Sequence, residues 1–507
     1  MDTPISPPRG ADRVSAAREW LLIAAMLTVT WLPLACVGVV LLAAAAFGDL
    51  WPMLGLPLIW ILVNALRAVG SRDPLPGRAA RPEDEPELAE LVRDVAARLS
   101  FDGPLLVRIV PLPMAALGRT KVSGVRSHVL LLGLPLLRAL TTAQLVAVVG
   151  HELAHEQHIR DRRTSLLLSA RGMLAQPLEG RFRPLAPLAA PLLRASQPPA
   201  WHTESAADAD AARLAGTTAM CEALELTGLV VAAFDGLAER WLSDLAANQT
   251  YPQDFYDAFD AALRDPLVRH RSARTAAEDD AIDPYAMADH PPLAERMSAL
   301  PHVEGASVYG TRPLALRGAA VIENWCVEQL AGLEDWRDAG GPGTAGKDRR
   351  PRRGRDRYDP PQPVRLLDLD PDRLHTPADA EALLVLQSAT LQAAPQQALT
   401  AALDAIADGS WPRLARRIEP GLRWIPAAAR PTASRDVMAG AVGNSLLGML
   451  REVGWTYTSR WLSTVLTAPD GTVVDLYDLL VAAVDSGDPA PVRALLQRAG
   501  IEEAESV

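Results

Sequence analysis

From Trp20 to Phe47 the chain runs 28 residues without a charge. A helix needs about 20 apolar residues to cross the hydrocarbon core of a bilayer, so this run confines the start of the chain to a membrane-spanning helix. Gly48 and Asp49 interrupt it, and Leu50 to Leu66 forms a second apolar run, sufficient for a span if untilted. The pattern predicts a transmembrane helical hairpin over 20–70, with spans at about 20–47 and 50–66. Trp20, Trp31, Trp51 and Trp60 include candidate interface anchors near the run ends. Arg9, Arg13 and Arg18 precede the hairpin, and Arg67, Arg72, Arg78 and Arg81 follow it, while the turn carries only Asp49. The positive-inside rule then places both the tail 1–19 and everything after the hairpin in the cytoplasm, as a multi-pass protein of the cell (inner) membrane. A cleaved signal peptide would have an apolar core of roughly 7–15 residues, far shorter than this one. A single tilted span with an interfacial second segment would reverse the topology.

The rest of the chain is long enough for further domains. Its net charge of −11 argues against a nucleic-acid partner. Cys36, Cys221 and Cys326 stand far apart without CxxC spacing, which excludes a disulfide framework and a cysteine zinc site.

Chemistry concentrates at Leu145 to Arg160, LVAVVGHELAHEQHIR, where His151, Glu152 and His155 stand in the order H-E-x-x-H. Residues four apart share a helix face, so both imidazoles can reach one metal ion, with Glu152 placed to reach a water on it. Thr141 followed by Gln144 reads as a capping box and starts the helix near Thr142. Ahead of it, Glu87–Leu99 has helical periodicity, Leu105–Val110 reads as a strand, and Val122–Val125 and His128–Leu132 as further strands. The fold class is mainly α (α+β): the hairpin, a zincin-type core with a small sheet and the motif helix, and a helical C-terminal domain. An edge strand of such a sheet commonly pairs with extended substrate; which strand forms it is not readable from the sequence.

Two histidines do not complete a catalytic zinc site, which usually has three protein ligands and a water. The downstream candidates are His158, His202, Glu204, Asp208 and His290. His158 shares the motif helix and cannot join both other histidines around one tetrahedral ion. The tenth residue after His151 is Asp161, which disfavours the HExxHxxGxxH arrangement. A carboxylate from a second helix fits better. Glu204 and Asp208, four apart in ESAADADAARLAG, share a helix face. One can bind metal while the other accepts a hydrogen bond from a ligand histidine and fixes its tautomer.

Three ordered motifs resemble the HtpX and CAAX prenyl protease family of membrane zinc metallopeptidases: HELAH at 151–155, Glu204-Ser-Ala-Ala207-Asp208 as E-x-x-A-D, and His290-Pro-Pro-Leu-Ala-Glu-Arg296 as HPPLxER. The resemblance covers roughly Glu87 to Leu300. It implies a gluzincin-type site with one Zn2+ per chain on His151, His155 and Glu204. It also implies Glu152 as catalytic base, Asp208 behind the ligands, and a protein or peptide substrate. His290 is a candidate donor to the oxyanion, and Arg296 reads as half of a structural ion pair. Two departures stand out. Relatives of the HtpX type carry further transmembrane helices, whereas Leu166–Leu193 is broken by Arg171, Glu179, Arg181, Arg183 and prolines and reads as a membrane-proximal or lid segment. The region beyond about Ala339 has no recognisable counterpart.

Within the metallopeptidase domain, 71–339, Thr217–Ala247, Gln253–Arg264 and Thr311–Trp336 read as helices. A basic Pro- and Gly-rich linker follows at 340–363. A helical domain spans 364–507, with Thr376–Ala407 helical and a turn at Pro469-Asp470-Gly471; it carries no recognisable chemistry, and oligomeric state is not legible. The functional expectation is a membrane-anchored zinc endopeptidase, with membrane protein quality control as a role the resemblance suggests. The alternative is a catalytically silent scaffold or binding protein that keeps the protease fold.

Overall fold

A computed structural model describes residues 9–46, 75–122, 124–179, 183–281, 283, 285, 287–303, 308–332 and 361–501. The expected second span at 50–66 and most of the 340–363 linker lie outside the described residues. Residues 20–46 of the expected first span lie in a long helix, α1 (Arg9–Ala46), with Pro33 inside it. α1 and a later helix, over Thr217–Leu242, are long and apolar enough to cross a membrane.

The sheet that supports the site has the order β1-β2-β4-β3. Its strands are β1 (Arg78–Ala79), β2 (Leu105–Val110), β3 (Ala115–Val122) and β4 (Val125–Gly133). β2 and β4 run parallel, and β3 folds back antiparallel on β4. Val122 and Val125, expected within one strand, instead end β3 and begin β4 and pair with each other, with Gly124 at φ +83. β3 is the outer strand, and it was not expected. Its sequence AALGRTKV lacks the β-branched alternation that marks a half-buried strand, as suits an edge with solvent on one side. Gly133 ends β4 where only glycine fits, since a Cβ there would meet the Leu112 carbonyl oxygen at 2.1 Å.

α2 (Pro86–Arg98) buries Leu88, Leu91, Val92 and Val95 in the core beneath the sheet. The short α3 (Leu134–Ala139) leads into the motif helix α4 (Thr142–His158), which begins where the capping box predicts. The Gln144 N–H donates to Thr141 Oγ1 at 3.3 Å, and the Thr141 N–H to Gln144 Oε1 at 2.9 Å. A strap ties down the same end, with Thr142 N–H donating to the Arg312 carbonyl and Ala143 N–H to that of Gly310. That strap accounts for part of Thr311–Trp336: the helix there is shorter than expected, Ala319–Leu330.

α5 (Arg162–Glu179) and α6 (Ala186–Ala215) follow as two helices where the sequence suggested a broken segment. They pack on α1, with Ile23 and Met26 buried against Leu167, Ala170, Leu174, Ala189 and Leu193. α7 (Thr217–Ala247) covers the motif helix and buries Val230, Phe234, Leu237 and Trp241 in the first core with α8 (Phe255–Arg264). α9 (Pro266–Ala281), α10 (Leu293–Ala299) and α11 (Ala319–Leu330) complete this part.

The C-terminal region has its own core, built from helices α12 (Pro371–Thr390), α13 (Pro395–Ala407), α14 (Trp411–Ile418), α15 (Arg430–Glu452), α16 (Leu476–Ser486) and α17 (Ala490–Arg498). Its first residues nevertheless pack with the part that carries the four-stranded sheet. β6 (Gln362–Val364) pairs in parallel with β5 (Thr250–Pro252), and Asp254 accepts from the N–H groups of Leu366 and Leu367 at 2.7 and 3.1 Å. Arg271 then grips Asp475 through both carboxylate oxygens at 2.6 Å, and Arg435 reaches Glu278 at 3.0 Å.

Candidate metallopeptidase site

The site lies where α4 crosses α6. The helices approach closely because small residues line the contact: Ala207, Ala211, Ala212 and Ala215 on α6 are fully buried, and Gly150 sits opposite. A Cβ on Gly150 would come within 3.1 Å of the Leu214 side chain and 3.7 Å of the Ala211 Cα. This spacing brings His151, Glu152 and His155 from α4 against Glu204 and Asp208 from α6.

Glu204 is 4 % exposed and faces three imidazoles. His155 Nε2 lies 2.7 Å from its Oε1, His290 Nδ1 2.7 Å from Oε2, and His151 Nε2 3.4 Å from Oε2. The donor atoms of His151, Glu204 and His290 all fall within 4.8 Å of one another. His290 therefore stands against the buried carboxylate, its side chain half exposed at the mouth. Asp208 sits behind, its Oδ1 2.8 Å from His151 Nδ1. That contact leaves His151 Nε2 turned to the cluster. Arg296 donates to both oxygens of Asp208, at 2.8 and 2.7 Å, as the sequence reading of a structural ion pair expects. Glu152 accepts from the Leu117 N–H of the edge strand β3 at 3.1 Å.

Electrostatics follows from this geometry. Burial raises the Glu204 carboxyl, yet hydrogen bonds from His151, His155 and His290 outweigh it and hold it well below the usual carboxylate range. Burial likewise raises Asp208, but Arg296 and His151 bring it down to about 2. Burial lowers the pKa of His151, and the surrounding carboxylates, Asp208 first, overcome this and push it up to about 9. Glu152 is the exception: burial lifts its pKa above the ordinary glutamate value, against the pull of His151 and His155. The two glutamates of the site are thus shifted in opposite directions.

His158 is not drawn in; its Nε2 lies 2.8 Å from Asp210 on the surface. His202 is exposed on α6. Two residues near the site escaped the sequence reading. Arg171 is 1 % exposed and holds the segment before His290, donating to the Ala288 carbonyl at 2.8 Å and the Asp289 carboxylate at 3.2 Å, and to the Leu193 carbonyl of α6 at 2.7 Å. A lone arginine within the apolar Leu166–Leu174 was the available signal. Glu156, buried one turn beyond Glu152, binds Arg119 of β3 at 2.6 Å and lies 3.4 Å from His128; nothing in the spacing announces it.

A cavity of about 410 Å3 opens beside His151 and Glu152. Met220, Leu224 and Val231 of α7 give it an apolar wall, and Ala115 of β3 and Leu293 of α10 complete its rim.

Residues 122–304 match the family model of peptidase family M48. The matched stretch is little more than a third of the chain and contains every residue of the cluster. It supports the M48 metallopeptidase family, a zinc-dependent protease family, and with it a peptide or protein substrate. No curated protein and no solved structure matches the chain.

Proposed function

We propose that the protein is a membrane-anchored, zinc-dependent endopeptidase of HtpX-like type, with His151, His155 and Glu204 as the metal ligands. The observation that carries this reading is the buried Glu204 carboxylate with imidazole nitrogens of both motif histidines 2.7 and 3.4 Å away. Two imidazoles and one carboxylate are a donor set suited to catalytic zinc. The fit extends outward, because Asp208 Oδ1 stands 2.8 Å from His151 Nδ1, where a carboxylate behind a ligand histidine would favour the tautomer that presents Nε2 inward.

When bound, zinc supplies the Lewis acidity that polarises the scissile carbonyl and eases deprotonation of the attacking water. Every other part of the chemistry falls to the chain. Glu152 removes the proton from that water, a role for which its raised pKa suits it, and later delivers it to the leaving amine. His290 at the mouth is placed to donate to the developing oxyanion. Extended substrate adds to the outer edge of β3, whose Leu117 N–H already turns toward Glu152. The cavity beside Glu152 takes an apolar side chain next to the scissile bond. α1 holds this machinery at the membrane, with the protease part in the cytoplasm by the arginine flanks. An endopeptidase so placed suits turnover of membrane proteins.

The test is peptide cleavage by the purified chain with and without chelator. Activity should vanish on dialysis against a zinc chelator and return with added zinc. Full turnover by chain verified to be metal-free would contradict the proposal.

A further inference from the structure

We propose that the outer edge of β3 beyond Leu117 receives an acidic segment of the peptide substrate, whose side-chain carboxylates face Arg119 and Lys121. The assignment rests on the peptidase reading, with extended substrate adding to β3. The pairing of the hairpin fixes which backbone groups are free for that addition. Val122 and Val125 close a two-residue turn, so alternate residues counted back from Val122 bond to β4. Leu117, Arg119 and Lys121 fall between them and turn N–H and C=O to the free edge, where the Leu117 N–H meets Glu152 at 3.1 Å. A substrate residue opposite Leu117 therefore lies at the reacting centre. The residues two and four places along from it come opposite Arg119 and Lys121, about 7 and 14 Å away along the strand. Directly opposed side chains share one face of a sheet, with Cβ atoms roughly 5 Å apart, so these two substrate side chains stand beside the two cations.

That end of the sheet is cationic. A cavity of about 710 Å3 opens there, with Arg119, Lys121, Arg126 and Arg160 on its wall against Asp102 and Glu156. Glu156 is already engaged, buried 2.6 Å from Arg119 Nε and 3.4 Å from His128 Nε2. Arg160, just past the end of α4, lies over the Phe101 ring at 5.7 Å and donates to the Asp102 carbonyl at 3.3 Å, which ties its guanidinium to this wall. Lys121 and Arg126 are exposed and stand directly opposite each other on β3 and β4. Like charges so placed repel, and among the described residues neither has an ion-pair partner. A carboxylate brought in opposite Lys121 offsets that repulsion, so charge complementarity favours acidic residues at this end of the edge over neutral or basic ones. The cleft then differs along its length, apolar beside Glu152 and cationic from Arg119 onward.

The test uses the full chain loaded with zinc and a peptide, blocked at both ends, that it cleaves at one bond. The peptide is made in three forms: Gln at the second to fifth residues on both sides of the cut, Glu at those residues before it, or Glu at those after it. Which side meets Arg119 depends on the direction in which substrate adds. One acidic form, and not the other, should therefore be cleaved faster than the Gln form, by about tenfold in kcat/KM, the worth of one charge-assisted hydrogen bond. Lys121→Glu with Arg126→Glu should reverse the preference, so that the favoured acidic form falls below the Gln form. The ratio is taken within each chain, so it does not depend on the fraction that is folded. Equal cleavage of the three forms, faster cleavage of both acidic forms, or a ratio untouched by the double reversal overturns the subsite while leaving the peptidase reading standing. A zinc-loaded chain that cleaves no peptide removes the peptidase reading and this subsite together.

Discussion

Arg296 is the side chain on which the inner carboxylate of the site depends. Asp208 is almost fully buried, and Arg296 satisfies both its oxygens. Removing one partner of a buried pair leaves an uncompensated charge, at a cost of about 3–5 kcal/mol. Arg296→Met should therefore destabilise the fold by roughly that amount in urea unfolding. Asp208→Asn keeps the shape but strips the Arg296 guanidinium of its counter-charge, so it should cost stability of the same order, and zinc binding by the fraction that stays folded should weaken about 10–100-fold. Equal zinc affinity in Asp208→Asn and the parent would remove Asp208 from behind His151. His151, Glu152, His155 and the Glu204–Asp208 pair were legible from helical spacing, whereas His290 and Arg296 were singled out through the family resemblance alone. What the sequence could not give was how they meet. That His290 turns to Glu204, and that Arg296 takes Asp208, depends on the path of the segment before α10, which Arg171 fixes across more than a hundred residues.

At the scale of elements, the site is the consequence of one helix crossing. α4 was readable to its first residue, because the capping box is a local signal. α6 was read only in its later part, around Glu204 and Asp208, because its first residues fall in Leu166–Leu193, where charges and prolines read as interruptions. Proline is costly mainly in the interior of an isolated helix, and here the face of α6 that follows them is held against α4 by its alanines. The edge strand β3 was missed for a related reason, being defined by its pairing with β4 and not by its composition. Gly150 tests the crossing directly. Gly150→Ala should be close to neutral, because the contact it makes is with the mobile end of Leu214 and alanine gains up to about 1 kcal/mol of helix propensity. Gly150→Val should push α4 from α6 and weaken zinc affinity about tenfold or more in a chain that remains folded. If both variants bind zinc like the parent, the close approach does not set the site.

For the whole molecule, the C-terminal region is fastened to the protease part by β6, by Asp254 and by the Arg271–Asp475 pair. The sequence marks 340–360 as rich in Gly, Pro and arginine, which predicts that limited proteolysis cuts there first. The two fragments should then co-elute as one complex, and their separation without denaturant would contradict the packing. His375 lies in the same junction, 2 % exposed, its Nε2 3.0 Å from the Arg460 carbonyl. Burial, with Arg240 nearby, lowers its pKa to about 4. Between that value and the ordinary histidine value the unfolded chain binds the extra proton, so this contribution to stability is full above about pH 6.5 and is lost as pH falls toward 4. The stability advantage of the parent over His375→Gln should shrink by about 3 kcal/mol from pH 7 to pH 4 in denaturant titrations. A difference that does not change with pH would mean that the imidazole is not neutral in the junction.

The central claim is that Glu152 moves the proton and Glu204 holds the metal. Zinc content by mass spectrometry and peptide turnover should be measured together on Glu152→Gln and Glu204→Ala. Glu152→Gln should keep about one zinc per chain and lose about 10²–10⁴-fold in turnover, whereas Glu204→Ala should lose both metal and activity. Full zinc in Glu204→Ala, or undiminished turnover in Glu152→Gln, would contradict the account.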